Sequence, residues 1–435
     1  MLKHIFTNSA GILVSRILGF LRDLLTASIL GANIYSDIFF VAFKLPNLFR
    51  RIFAEGAFTQ SFIPSYAKSN HKVSFSTIIF TQFLAFIVFL SIIVTLFAAL
   101  ITKLIAIGFD DATIQLASPL VAICFYYLPL IFIVTFLASL LQYKHHFTTT
   151  AFSTALLNIA LISALLLANG KDSYTITYYL SFGVVIGGIL QVIVHLIAIK
   201  KLNIKFFTFE YKRSKKRFEN SRFYKQFYPA VFGSSAAHIA AFLDTWLASF
   251  LVSGTISYLY YANRVFQLPL ALFAIATSIA LFPTIAKAIK KDDEQTALRY
   301  LKKSFFILLI VLGISTTIGI VFDTFIVKLL FERGAFSTND TAVTASVLSM
   351  YLIGLIPFGI AKIFSLWLYS HQKQAVAAKI TMKSLFWNII LSLLLIIPYG
   401  AIGLALASSL SGFVLLYLTI KEFGFDKFKR VIFNS

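Results

Sequence analysis

Residues 9–68 read SAGILVSRILGFLRDLLTASILGANIYSDIFFVAFKLPNLFRRIFAEGAFTQSFIPSYAK, two apolar spans of bilayer length with charges set inside them. An arginine at the bilayer centre costs about 2.5 to 3.5 kcal/mol on insertion scales, so Arg16 and Arg22 in the first span need partners, water or a ligand. In the next span Asp37, Lys44 and Arg51 recur at intervals of seven. At roughly 100° per residue that interval drifts only about 20° per step, which sets all three on one helix face. Glu55 follows Arg51 by four and can pair with it there. With Asp23, Asn47 and Arg50 these residues form a polar face on otherwise Phe-, Ile-, Leu- and Val-rich helices. One reading is that the charges neutralise one another and only fix helix packing. Against it, five Arg or Lys from Arg16 to Arg51 face Asp23, Asp37 and Glu55, and an excess of guanidinium groups suits an anionic, phosphate-bearing ligand.

Of the 435 residues, 59% are hydrophobic and only 13% charged, with a formal net charge of +21. A soluble chain carries about 25% charged residues, so the composition is that of a polytopic membrane protein. The net charge does not signal nucleic acid, because Lys and Arg concentrate in the connections between apolar spans and no RNA-binding motif accompanies them. The one cysteine, Cys124, lies in an apolar run and excludes an intramolecular disulfide. The N-terminal MLKHIFTNSAGILVSRILGF opens like a signal peptide, but its apolar region is interrupted by Arg16 and continues past Arg22, which favours a retained first helix.

At about 20 apolar residues per span, the sequence predicts an all-α protein with twelve transmembrane helices, near 8–30, 35–64, 77–101, 118–141, 149–168, 175–199, 226–252, 256–286, 304–322, 342–368, 380–397 and 400–420. Basic residues crowd one set of loops, leaving Lys103, Lys171, Lys328 and Arg333 on the other side, so both termini are expected in the cytoplasm. SFIPSYAK at 61–68 matches ALFPTIAK at 280–287, with Pro64, Ala67 and Lys68 answering Pro283, Ala286 and Lys287 at a constant offset of 219. Pro46 roughly answers Pro269. Such an echo is what duplicated transporter halves leave behind. The expected division is a six-helix lobe at 1–200, a basic interfacial linker at 201–225, a second six-helix lobe at 226–421 and a short cytoplasmic tail at 422–435. The four prolines are candidate hinges. In the eighth span Asn263, Arg264 and Gln267 form a second polar patch just before Pro269.

Three runs, SRILGFLRD, SDIFFVAFKLPNLFRRIFAEGAF and SFIP, closely resemble the N-terminal signature of the MviN/MurJ family, the bacterial lipid II flippases. The resemblance implies the multidrug/oligosaccharidyl-lipid/polysaccharide exporter fold, two pseudo-symmetric lobes around a central cavity. It implies a flippase moving the undecaprenyl-pyrophosphate-linked peptidoglycan precursor from the cytoplasmic to the periplasmic leaflet of the bacterial inner membrane by alternating access. The alternative is another polyprenyl-linked oligosaccharide, an O-antigen or capsule unit. Arg16, Arg22, Arg51 and Arg264 are the implied pyrophosphate ligands, with Asp23, Asp37, Lys44, Asn47, Arg50, Glu55, Asn263 and Gln267 supporting the cavity. Where the family carries a YADR-like run, Asn263 replaces the Asp and removes a local counter-charge. The resemblance also implies a cation site between the seventh and eleventh helices, for which Asp244 and Asn388 are the best matching donors. A neutral, hydrogen-bonded Asp244 is the alternative. Coupling to Na+, H+ or the membrane potential is expected, with no bound cofactor, no metal and no nucleic-acid partner. Membrane lipids and the peptidoglycan synthesis machinery are the implied further partners. Relatives often continue for two more helices that line a groove for the lipid tail, whereas this sequence stops at FKRVIFNS.

The sequence carries no Walker A, HExxH, CxxC or G-x-S-x-G motif, so neither nucleotide hydrolysis by that route nor a familiar catalytic constellation is indicated. The adjacent His145 and His146 make a poor metal site on their own. A transporter, not an enzyme, is the expectation.

Overall fold

A computed structural model describes residues 2–50, 57–208, 223–229, 231 and 242–433, with the side chains of 2–9 and 12 excepted. All the regular structure among these is helical. The chain divides into two compact units, Met1–His238 and Ile239–Ser435. The boundary expected at 225/226 therefore falls inside the first unit.

In the first unit the helices are α1 (Leu2–Leu30), α2 (Ile34–Phe49), α3 (Phe58–Lys68), α4 (Lys72–Leu96), α5 (Ala98–Ile105), α6 (Asp111–Phe125), α7 (Tyr127–Tyr143), α8 (Thr148–Ala168) and α9 (Ser173–Lys201). Asn33 starts α2 with a capping box, its side chain accepting from Tyr35 and Ser36 while Ser36 accepts from the Asn33 N–H. α1 packs along α8, α8 along α9, and α2 against α6. The crossing of α1 and α8 is close because Gly11 lacks a side chain: a Cβ there would meet that of Ala151 at 2.7 Å.

An aromatic cluster fills the space between α3, α4 and α7. Phe58 stacks on Phe62 at 5.3 Å and meets Phe83 and Phe132 edge-on at 5.6 Å. Phe223 and Phe227 of the helical residues 223–229 join it, each within 6.5 Å of Phe58. Each such ring pair adds about 0.5–1.5 kcal/mol beyond its burial. That cluster is why the end of the expected linker belongs with the first unit. Its beginning is tied there too, since Ser76 donates to the Phe206 carbonyl at 2.7 Å and the Thr208 N–H donates to Thr77 Oγ1 at 3.0 Å.

The second unit holds α10 (Thr255–Pro269), a π-helical stretch (Leu270–Ile275), α11 (Ala276–Lys290), α12 (Glu294–Val321), α13 (Asp323–Phe331), α14 (Thr338–Ile353), α15 (Leu355–Ser370), α16 (Gln374–Phe423) and α17 (Phe425–Phe433). The π-helical turns begin directly after Pro269. Arg50 and Ala57 in the first unit are π-helical as well, following Pro46. The backbone thus widens at residues beyond Pro46 and beyond Pro269, a deviation that proteins concentrate at functional sites.

A straight 50-residue α16 would be about 75 Å long, far beyond a hydrocarbon core of about 30 Å. Gly400, at φ 54° and ψ −128°, reverses the chain instead. Ser384 consequently donates to the carbonyl of Ser411, 27 residues on, at 2.8 Å. The expected eleventh and twelfth spans are therefore one hairpin turned at a single glycine, where L side chains are strained.

Eight stretches among the described residues are long and apolar enough to cross a membrane. α1 and the α2–α3 pair, where the charges concentrate, are not among those eight. Large apolar side chains face outward in rows, such as Ile307, Ile310, Ile314 and Ile318 on α12. In water such a surface would be an aggregation hazard; in a bilayer it is the solvent-facing side. The tail expected at 422–435 is helical from Phe425 to Phe433.

Candidate functional site

One face of α1 decides the site in the first unit. Gly11, Ser15, Gly19 and Arg22 recur at intervals of three to four and turn toward α8. Arg22 Nη2 lies 2.6 Å from Asp23 Oδ1, with Nε at 3.1 Å from the same oxygen. Nη1 donates to Asn158 Oδ1 at 3.2 Å. Asn158 Nδ2 in turn donates to the Ser15 carbonyl at 3.0 Å. One amide therefore ties the guanidinium to α8 and α8 to the α1 backbone. Because Arg22 and Asp23 are only 11% and 3% exposed at their side chains, little screening weakens that pair.

Arg16 lies off this face and is exposed. Asp37 sits in the first turn of α2, buried, where a carboxylate complements the helix dipole. Lys44 and Asn47 are half-buried on the same helix. Arg50 donates to Asn47 Oδ1 from Nε at 3.1 Å and from Nη2 at 2.9 Å. It lies within electrostatic range of Arg22 and of Tyr127. Tyr127 donates to Gln191 Oε1 at 3.3 Å, and Gln191 to the Ser153 carbonyl at 3.0 Å, carrying the polar network inward. Arg51 and Glu55 lie outside the described residues. Thus Arg22, Asp23 and Arg50 come together, while Arg16 is set apart.

In the second unit Arg264 donates from Nη2 to the Tyr260 hydroxyl at 2.8 Å, and its Cζ stands 4.8 Å above the Tyr260 ring. This hydrogen bond and cation–π contact use a residue one turn back on α10. Gln267 donates to Asn263 Oδ1. Buried Tyr351 lies close to Asn263 and within electrostatic range of Asp244. Asn388 is buried on α16, and one turn beyond it the buried Ser392 hydroxyl has no hydrogen-bond partner among the described residues. Among the described residues no three His, Cys, Asp or Glu side chains cluster as a metal site. At the other end of the unit Ser337 caps α14 in a capping box with Asp340, which accepts from Tyr258 at 2.8 Å. Of the prolines, Pro46 and Pro64 lie within α2 and α3, Pro269 closes α10, and Pro283 lies within α11.

Sequence reading missed Asn158, Tyr260 and Tyr351. A lone amide within the apolar run TTTAFSTALLNIALISALLLA of α8 was the available signal, because an unpartnered amide is costly in hydrocarbon. Tyr260 and Tyr351 offered none, since tyrosines are common along these helices.

The family model described as "Lipid II flippase MurJ" matches residues 26–434. A probable lipid II flippase MurJ of Helicobacter pylori strain J99 is 50% identical over 422 residues, covering 94% of this chain and 92% of its own. One of Buchnera aphidicola subsp. Baizongia pistaciae is 30% identical, covering 97% and 83%. Among solved structures, "Lipid II flippase MurJ, inward closed conformation" matches at TM-score 0.84 and 27% identity, over 98% of this chain and 89% of that one. An inward-facing multidrug resistance MATE family transporter of the MOP superfamily matches at TM-score 0.74 but 12% identity, over 95% and 94%, a likeness of fold alone.

Proposed function

The chain belongs to the lipid II flippase MurJ family, and from that premise we infer that it carries lipid II from the cytoplasmic to the periplasmic leaflet by alternating access. It is a transporter, and its work belongs to peptidoglycan and cell-wall biogenesis. The inner membrane is its site, with both termini in the cytoplasm on the evidence of loop charge.

In this reading Arg22, Arg50 and Arg264, with Arg16 and Arg51, receive the pyrophosphate. The observation that carries it is the Arg22 brace, a guanidinium fixed in the first unit by Asp23 and Asn158. A fixed planar fork loses less entropy on binding phosphate than a free one. Arg50, held by the neutral Asn47, adds positive charge close by. Asp23 and Asn158 position Arg22.

Outward movement of an anionic headgroup is favoured by an inside-negative membrane potential, by about 2.3 kcal/mol per charge per 100 mV. A coupling cation would be held by Asp244 and Asn388, with the unpartnered Ser392 hydroxyl as a further oxygen, a donor set suited to a hard ion. Bound there, the cation would neutralise Asp244. Tyr351 lies near both that carboxylate and Asn263, the residue beside Arg264.

Conditional depletion in the native host, followed by a periplasmic probe that cleaves only outward-facing lipid II, tests the proposal. Total lipid II should persist while the cleavable fraction falls, and Arg22→Ala should fail to restore it. An unchanged cleavable fraction with loss of another surface glycan would leave the exporter fold and reject the substrate.

A further inference from the structure

The transport proposal leaves α17 unused. Its sequence is FDKFKRVIF, and it begins beyond Gly424, whose φ of 103° turns the chain away from α16. One side of α17 is fixed to the second unit. Phe428 packs on Phe305 of α12 and Phe364 of α15 at 6.0 and 5.3 Å, and Val431 is buried. Lys427 also points inward, 2.8 Å from Glu294 and 4.9 Å from the centre of the Trp367 ring. These contacts lay the helix across the ends of α12 and α15 that share a side with Lys421.

At about 100° per residue, Phe425, Lys429, Ile432 and Phe433 then fall within an arc of roughly 100° away from that packed side. Phe425 is 45% and Phe433 77% exposed, while Asp426, Lys429 and Arg430 are exposed beside them. Depth is set by the neighbouring helix. Phe425 contacts the ring of Tyr417, itself exposed and one turn before Lys421 at the end of the hairpin. An outward tyrosine one turn inside a terminal lysine is the sequence of an interfacial aromatic belt. Phe425 is therefore held at headgroup depth, with the basic side chains of α17 level with the phosphates.

We propose that α17 is a membrane-surface helix whose Phe425–Lys429–Ile432–Phe433 face seats in the leaflet, with Lys429 and Arg430 engaging anionic phospholipid headgroups. Apolar side chains alone would bind any lipid; the two cations make the contact selective for negative charge. Asp426, one turn before Arg430, offsets part of that charge and leaves the exposed side of the helix net positive.

The test uses the full chain in phosphatidylcholine nanodiscs with and without phosphatidylglycerol, reading backbone hydrogen exchange at 425–433. Phosphatidylglycerol should slow exchange there by about tenfold, the scale set by two basic side chains at an anionic surface. The joint change Lys429→Ala and Arg430→Ala should remove the difference, and the pair Lys429→Arg with Arg430→Lys should keep it. Equal exchange in both nanodiscs overturns the proposal, and this wild-type comparison decides even where a variant fails to fold. A fluorophore on Phe433→Cys should be quenched by lipid-borne nitroxide more than by aqueous iodide. Reversal of that pattern overturns the orientation. Protection that follows protein concentration and ignores lipid charge would assign the face to a second copy of the chain and overturn the lipid as occupant.

Discussion

In the first unit Arg22 is tied to two helices, by Asp23 beside it and by Asn158 on α8; in the second, Arg264 leans on Tyr260, one turn back on its own helix. The first arrangement neutralises charge and fixes position. The second sets the guanidinium against a ring of its own helix. The two arginines are therefore held differently, one tied to a neighbouring helix and one to its own. Beside Arg264, the neutral Asn263 side chain accepts from Gln267.

The largest expected effect tests the neutralised side. Asp23→Ala leaves a buried guanidinium with less compensation, and breaking such a pair costs about 3 kcal/mol. The thermal midpoint of the purified protein should fall clearly; an unchanged midpoint would mean the Arg22 brace holds nothing. Asn158→Ala should cost about 2 kcal/mol by removing bonds to both Arg22 and the Ser15 carbonyl. Here flipping should fall together with the midpoint, since the same amide serves both. Arg264→Lys separates the units: charge is kept, the planar fork is lost, and transport should drop about tenfold, or about 1.4 kcal/mol, with the midpoint unmoved. Full activity of that variant in depleted cells would make the second arginine a point charge only.

The smallest effect lies outside the membrane, at helix caps in both units. Thr113 holds the Asp110 carboxyl below the usual carboxylate range, first through its hydroxyl and then through its N–H. Thr175 does the same for Asp172, chiefly through its N–H, and Thr296 for Asp293, chiefly through its hydroxyl. A carboxyl with a depressed folded-state pKa stabilises at neutral pH, and its contribution is lost as pH falls below about 4 toward the folded value. Thermal midpoints measured down that range should decline gradually, and Asp172→Asn should flatten its share of the decline.

Much of this was legible in the sequence, and the gaps have identifiable causes. Apolar length located nine of the twelve expected spans, the last two as one hairpin; the first two are helical but carry the charges, and the seventh lies mostly outside the described residues. The seven-residue spacing put Asp37 and Lys44 on one helix, as found. What spacing along one helix does not reveal is which neighbour crosses it. Asn158 is 136 residues from Arg22, and only the close α1–α8 crossing, opened by Gly11 and Gly19, brings them together. The same holds for Phe223, read within the interfacial linker at 201–225, and for Phe227, read at the start of the seventh span, until the Phe58 cluster claims both.

The Gly400 hairpin bears on how the chain is made. From Ser384 to Ile420 the sequence contains no charged residue, while Lys383 and Lys421 stand at the two ends. Neither arm has a loop between them long enough to let one insert and wait for the other. During synthesis the pair must therefore enter the bilayer as a single folded unit, led by the uncharged turn and retained by lysines at both heels. A charge introduced beside Gly400 would have to cross first, and would act on biogenesis before it could act on transport.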